Sequence, residues 1–258
     1  MLEKRSKKIN IIKRLFLYIL VFAAVFGGIV YLKYAPTVKA LHNSAALKVN
    51  NCSEITFKNK SMDLNNGKLI YLKSNEIPEE VKNAFIAVED RNFYKHGGIS
   101  VEAVFRAVYS FFTDGGKITQ GGSTITQQLS RNVFLNFNKN YKRKLEEMFI
   151  ASDLEEKFTK DQILEFYINN INFSNGAYGI EAASEKYFST ECSKLNLSQI
   201  CLLAAIPNDP EYYNPLVHLN NTLQRRNLIL EKMKENDYIT DKQYKEAVNY
   251  KIVLNPKD

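Results

Sequence analysis

Cysteine is scarce in this chain. Cys52, Cys192 and Cys201 form an odd set with neither metal-ligand nor redox-motif spacing, which excludes a disulfide framework as the basis of the fold. Cys201 lies inside the apolar run from Ile200 to Ile206, where a buried thiol behaves as a small hydrophobe. No internal repeat and no low-complexity tract is present, so neither a stacked array nor a compositionally biased tail fits. Positive charge is missing where a nucleic-acid binder would carry it. Residues 1–14 hold Lys4, Arg5, Lys7, Lys8, Lys13 and Arg14 against Glu3, which is +5 of the formal +7 and leaves the rest of the chain at +2. A body so nearly balanced argues against nucleic acid as a partner.

Long apolar runs are missing too, with one exception. Leu15 to Leu32 is uncharged over 18 residues, close to the ~20 that cross a bilayer. Tyr18, Tyr31 and Tyr34 fall near its two ends, where aromatic side chains favour the membrane interface. The pattern predicts a basic cytoplasmic tail over 1–14 and a transmembrane anchor over 15–34, with the larger part of the chain outside. A cleaved signal peptide is the alternative. The run is long for one, and Gly27-Gly28-Ile29-Val30-Tyr31-Leu32 offers no convincing cleavage site.

Residues 35–77 read as a connector, with Ile55–Phe57 and Lys68–Leu72 as short strands. From Pro78 onward the helical period dominates, and glycine and proline breaks divide a series of helices into a mainly α domain over 78–250. Pro78 suits a first helical position, Glu79 and Glu80 favour the positive helix end, and Gly97-Gly98 can stop the helix, so one helix is predicted from Pro78 to Lys95. On it Phe85, Ile86 and Phe93 share a face with Glu89. Apolar surroundings tune a carboxylate toward general-base work. On these residues alone, a solvated ion pair of Glu89 and Asp90 with Arg91 or Lys95 explains the two acids more simply.

Further blocks follow. Gly121-Gly-Ser-Thr-Ile-Thr-Gln-Gln-Leu-Ser-Arg131-Asn132 places Ser123 and Thr124 as N-caps at an anion-friendly helix start, with the amides of Gln127 and Gln128 and the charge of Arg131 nearby. An ordinary capped helix is the plainer reading. Arg143-Lys144-x-x-Glu147 puts two cations one turn before a carboxylate that shares a stripe with Ile150, Ala151, Leu154 and Phe158. An ion pair fixing helix position accounts for it equally. Tyr167-Ile-Asn169 to Tyr187-Phe188, Leu195 to Pro215 and Arg225-Arg226 to Met233 read as turns and helices of a scaffold.

Taken together, Glu89-Asp90-x-x-Phe93-x-x-His96-x-Gly98 and the blocks after it, in this order from Pro78 to about Met233, resemble the peptidoglycan glycosyltransferases of family 51, of the monofunctional biosynthetic transglycosylase type. The resemblance implies a lysozyme-like architecture with a small mobile jaw lobe. It also implies polymerisation of lipid II into β-1,4-linked glycan, with inversion and release of polyprenyl diphosphate. Glu89 and Glu147 become the functional acids: Glu89 as base, Glu147 organising the diphosphate end. Ser123, Thr124, Gln127, Gln128, Arg131, Lys139, Arg143 and Lys144 become substrate contacts, and Asp90, Phe93, His96 and Asn169 structural supports, with His96 bracing the end of the Glu89 helix.

Relatives usually carry lysine at the position of Arg131, where charge survives the change, and often another arginine at that of Lys139. Asn172 and Ser174 depart from the usual aromatic and glycine, and Gln199 from a usual glutamate, with loss of one ion pair. Asp114–Gln120 is expected to form a loop over the site, and Val101–Phe112 a helix toward the membrane.

No organic cofactor is implied, and a divalent ion, magnesium or manganese, is admissible at the diphosphate, with its ligands unknown. Lipid II, the growing lipid-linked glycan, the membrane and other cell-wall synthesis proteins are the expected partners, at the outer face of a bacterial cell membrane with the N-terminus cytoplasmic. No Ser-x-x-Lys nucleophile is present, and a transpeptidase domain is not expected. A membrane-tethered glycan-cleaving enzyme and an inactive scaffold remain as rivals.

Overall fold

In the computed structural model the described residues are 28, 32–53, 71–102, 105, 122–135 and 141–256. They fall into two compact units, residues 1–44 and 45–258. Among them no helix is long and apolar enough to cross a membrane. The run from Leu15 to Leu32 lies outside the described residues except for Gly28 and Leu32, as do Lys139, the Asp114–Gln120 loop, Ile55–Phe57 and most of Val101–Phe112.

The second unit includes, among the described residues, the helices α1 Glu79–Glu89, α2 Ile125–Phe134, α3 Tyr141–Lys157, α4 Lys160–Asn170, α5 Ile180–Phe188, α6 Leu197–Ala205, α7 Leu219–Glu235 and α8 Asp241–Asn249. No strand occurs among the described residues, and the one isolated bridge joins Asn172 to Tyr178. Four helices, α2, α4, α6 and α8, begin with the same local device. Thr124, Thr159, Asn196 and Thr240 each accept the third residue's N–H, and Gln127, Gln162, Gln199 and Gln243 each bond back to the cap's own N–H. Two orphan donors are satisfied reciprocally at each start. At Gln199 the neutral amide fills this role unaided by charge.

Packing sets two groups around the site. The first is α7 against α6, α1 and α8; the second is α2 against α3 and α4. Phe85 of α1 meets Tyr167 and Phe173 edge to face at 5.9 and 6.2 Å, which joins the groups through the core. Tyr71 and Leu72, within the stretch expected as a strand, are held by side chains instead. Asn169 accepts from the Leu72 N–H at 3.0 Å and donates to its carbonyl at 2.8 Å, while Glu165 accepts from the Tyr71 hydroxyl and the Ser74 N–H.

The predicted helix from Pro78 to Lys95 is shorter. It ends at Glu89, Asp90 leaves helical geometry at φ −158° and ψ 71°, and Phe93–Lys95 is a separate 3₁₀ turn. The stop is tertiary. Asp90 accepts from the Ile125 N–H of α2 at 3.1 Å and from His96 Nε2 at 2.9 and 3.0 Å, so its carboxylate sits at the positive start of α2. Phe93 therefore does not continue the Glu89 face; it is buried, with the Lys160 ammonium 4.4 Å from its ring centre.

Gly98 closes this junction rather than capping α1. Its carbonyl accepts the Thr124 hydroxyl at 2.6 Å, its φ is +82°, and a β-carbon there would stand 2.7 Å from the carbonyl oxygen of Ala151. Backbone cannot yield as a side-chain tip does. Gly98→Ala is therefore expected to cost about 2 kcal/mol or more and to lower the calorimetric melting temperature by roughly 5 °C or more. An unchanged melting temperature would show that the three chain segments meeting here are not held together by this contact.

Candidate active site

The last residue of α1 is delivered to a cleft of about 870 Å³ lined by Glu89, Ser123, Gln128, Arg131, Arg225 and Lys232, among others. Glu89 is fixed at both oxygens. Oε2 accepts from Gln128 Nε2 at 2.7 Å, and Oε1 lies 3.8 Å from Arg225 Nη2. Behind Gln128, the Tyr167 hydroxyl donates to its Oε1 at 3.1 Å. Tyr167 is wholly buried, and this desolvation, reinforced by the neighbouring Glu89 charge, holds its phenol well above the usual range. It therefore stays a donor. Arg225 in turn rests its guanidinium over the Tyr213 ring, 5.2 Å from the centre, an arrangement that favours a flat cation.

The second acid is held differently. Glu147 is fully buried on α3, and its two oxygens accept from Arg143 and from Lys144. Lys144 also donates to Ser123 Oγ at 2.9 Å, so the buried carboxylate communicates with the cleft wall through one lysine and one serine. Lys144, 38 % exposed, is the member turned to solvent. Each Glu147 oxygen accepts from one cation, and among the described residues no three His, Cys, Asp or Glu side chains converge as a metal site.

Of the residues singled out from sequence, Glu89, Ser123, Gln128 and Arg131 line the cleft, as does Asp90. Lys144 touches it through Ser123, and Lys139 lies outside the described residues. Thr124 and Gln127 are not available to a substrate: both are buried, and they are the two halves of the α2 capping box. Their letters carry a capping signal, and the cap uses both side chains. His96 braces Asp90, and Asn169, buried on α4, pins Leu72.

Arg225, Lys232 and Tyr167 were hidden in blocks that read as scaffold. Arg226 is indeed scaffold, bonded to Ser198 Oγ and to the carbonyls of Ala247 and Val248. Its neighbour Arg225, one step around α7, reaches Glu89. A residue pair adjacent in sequence points about 100° apart on a helix, and only the position of α1 reveals which of the two meets the cleft.

The transglycosylase family model matches residues 57–234, more than half of the chain. The monofunctional glycosyltransferase of Staphylococcus haemolyticus is 35% identical over 253 residues, which is 95% of this chain and 86% of that protein. Penicillin-binding protein 1A of Aquifex aeolicus is 46% identical over 191 residues, 74% of this chain, and penicillin-binding protein 1A/1B of Bacillus subtilis is 39% identical over 249 residues, 95% of this chain. The chain spans about a quarter of the length of these two penicillin-binding proteins, at 26% and 27%. Blocks spread from Glu89 to Arg225 that meet at one cleft, and matches that run through all of them, make this chain a member of the transglycosylase family, the peptidoglycan glycosyltransferases of family 51.

Proposed function

We propose that this chain polymerises lipid II. The observation that carries the reading is a carboxylate oxygen, Glu89 Oε1, beside the guanidinium of Arg225 in a cleft that also holds Arg131 and Lys232. A base facing cations suits a reaction that removes a proton from one substrate while a diphosphate leaves the other. The 4-hydroxyl of an acceptor lipid II attacks the anomeric carbon of the growing chain, and the bond from that carbon to the polyprenyl diphosphate breaks with inversion. The hydroxyl proton passes to Glu89, and the departing diphosphate carries its negative charge to the basic side chains.

Within this reading Gln128 holds Glu89 in place, Arg131 and Lys144 receive phosphate oxygens, and Glu147 acts through Arg143 and Lys144 rather than on the substrate. Arginine at position 131 can fork two hydrogen bonds onto a diphosphate. No step is routed through a metal ion. The jaw lobe over the cleft, the anchor over 15–34 and a catalytic domain over 78–250 at the outer membrane face belong to the same proposal. Their support is the apolar run after the basic tail and the lipid tails that both substrates carry.

The test is incubation of the purified full chain with labelled lipid II and a gel of the products. A ladder of lengthening glycan is expected. Shortening of preformed glycan would indicate a glycan-cleaving enzyme instead, and no product from well-folded protein would indicate a scaffold.

A further inference from the structure

The Gln128 amide faces Glu89 on one side and Tyr167, which does not line the cleft, on the other. An amide carries a donor and an acceptor of nearly the same size, so shape alone does not orient it. A carboxylate only accepts. With Gln128 Nε2 2.7 Å from Glu89 Oε2 and Gln128 Oε1 3.1 Å from the Tyr167 hydroxyl, the three groups form one directed run, phenol to amide oxygen and amide N–H to carboxylate. Tyr167 is wholly buried on α4, and Phe85 meets its ring edge to face at 5.9 Å. Its hydroxyl is thereby held in one place.

We infer that Tyr167 is a positioning residue for the reaction: its hydroxyl holds the Gln128 amide with Nε2 toward Glu89, so that Glu89 meets the substrate as a carboxylate with Oε1 left to take the proton. The inference rests on the reading of Glu89 as the base. Without the hydroxyl, the opposite amide orientation loses no partner on the α4 side. That orientation sets Gln128 Oε1 against Glu89, a contact that is favourable only when the acid is protonated and can donate.

Among the described residues, the other charged groups around this run are Arg225 and Lys232 of α7, Arg131 of α2, and Asp90, bonded to His96, beside Glu89 on the chain; Arg91 and Glu235 line the same cleft. Removing one hydroxyl from α4 changes none of their charges.

The full chain is assayed with labelled lipid II across pH as wild type, Tyr167→Phe, Gln128→Leu and the double variant. In Tyr167→Phe the acid limb of kcat/KM is expected to move up by roughly half to one pH unit. The plateau rate should be recovered on the alkaline side, with KM there within about twofold of wild type. In the Gln128→Leu background, the same loss of the hydroxyl should leave the limb where it is. The position of a limb does not depend on how much of the protein is folded, so a destabilised variant still reports. An unmoved limb in Tyr167→Phe, or an equal shift in both backgrounds, overturns the inference while the base assignment stands. Persistence of the wild-type acid limb in Glu89→Gln overturns the base assignment and the inference with it.

Discussion

Glu89→Gln is expected to reduce the rate of lipid II polymerisation by about 10³-fold, with little change in melting temperature. Glutamine keeps the shape of the side chain, and its carbonyl can still accept from Gln128 Nε2 as Oε2 does at 2.7 Å. What it loses is the capacity to take a proton. The pair to Arg225 is long, at 3.8 Å, and the guanidinium keeps its place over the Tyr213 ring when the charge on residue 89 is removed, so the effect on folding is expected to be small. Stability and activity should therefore separate in this variant. Single-turnover rates with labelled lipid II measure the effect, and calorimetry of the same preparation tests the fold. Retention of a tenth of the wild-type rate would place the base elsewhere in the cleft.

The separation matters because most other substitutions near the cleft mix the two effects. Asp90 caps the start of α2 and holds His96, so its loss would disturb the junction that delivers Glu89. Gln128 touches the base directly but also links α2 to α4 through Tyr167. Glu89 is the point where the scaffold ends and the chemistry begins. It is the last residue of α1, fixed by side chains from α2 and α7 that are remote from it in the chain.

That remoteness explains what could and could not be read from the letters alone. Interactions within one turn were legible: Glu147 with Arg143 and Lys144 at helical spacing is found as such, because i, i+3 and i, i+4 neighbours meet wherever a helix forms. The capping signal of Thr124 and Gln127 was legible as a helix start, yet the same side chains look like candidate ligands until their partners are known. The end of α1 was not legible. Propensity carries the helix on toward Lys95, and only a bond from Asp90 to the Ile125 N–H, 35 residues away, ends it at Glu89. Arg225 was missed for the same reason. Nothing in Arg225-Arg226 says which arginine faces a carboxylate on another helix and which braces α8.

The buried acid should show the opposite profile to Glu89. Glu147→Gln is expected to destabilise the protein by about 3 kcal/mol, at the lower end of the range for breaking a buried ion pair, and so to lower the melting temperature by roughly 6–12 °C. Glu147 is wholly buried and carries a negative charge shared by Arg143 and Lys144. Arginine cannot escape by losing its proton, whereas Lys144, 38 % exposed, can turn toward water, which limits the loss. That same turn would take Lys144 away from Ser123 on the cleft wall. Activity measured well below the new melting temperature should therefore fall as well, through weaker handling of the diphosphate, and lysine at position 144 should matter less in the variant than in the wild type. A double-mutant cycle of Glu147→Gln with Lys144→Met reads this directly. If the two losses in rate simply add, Glu147 does not act through Lys144; if the second substitution costs little once the first is made, the carboxylate serves the reaction by aiming the lysine.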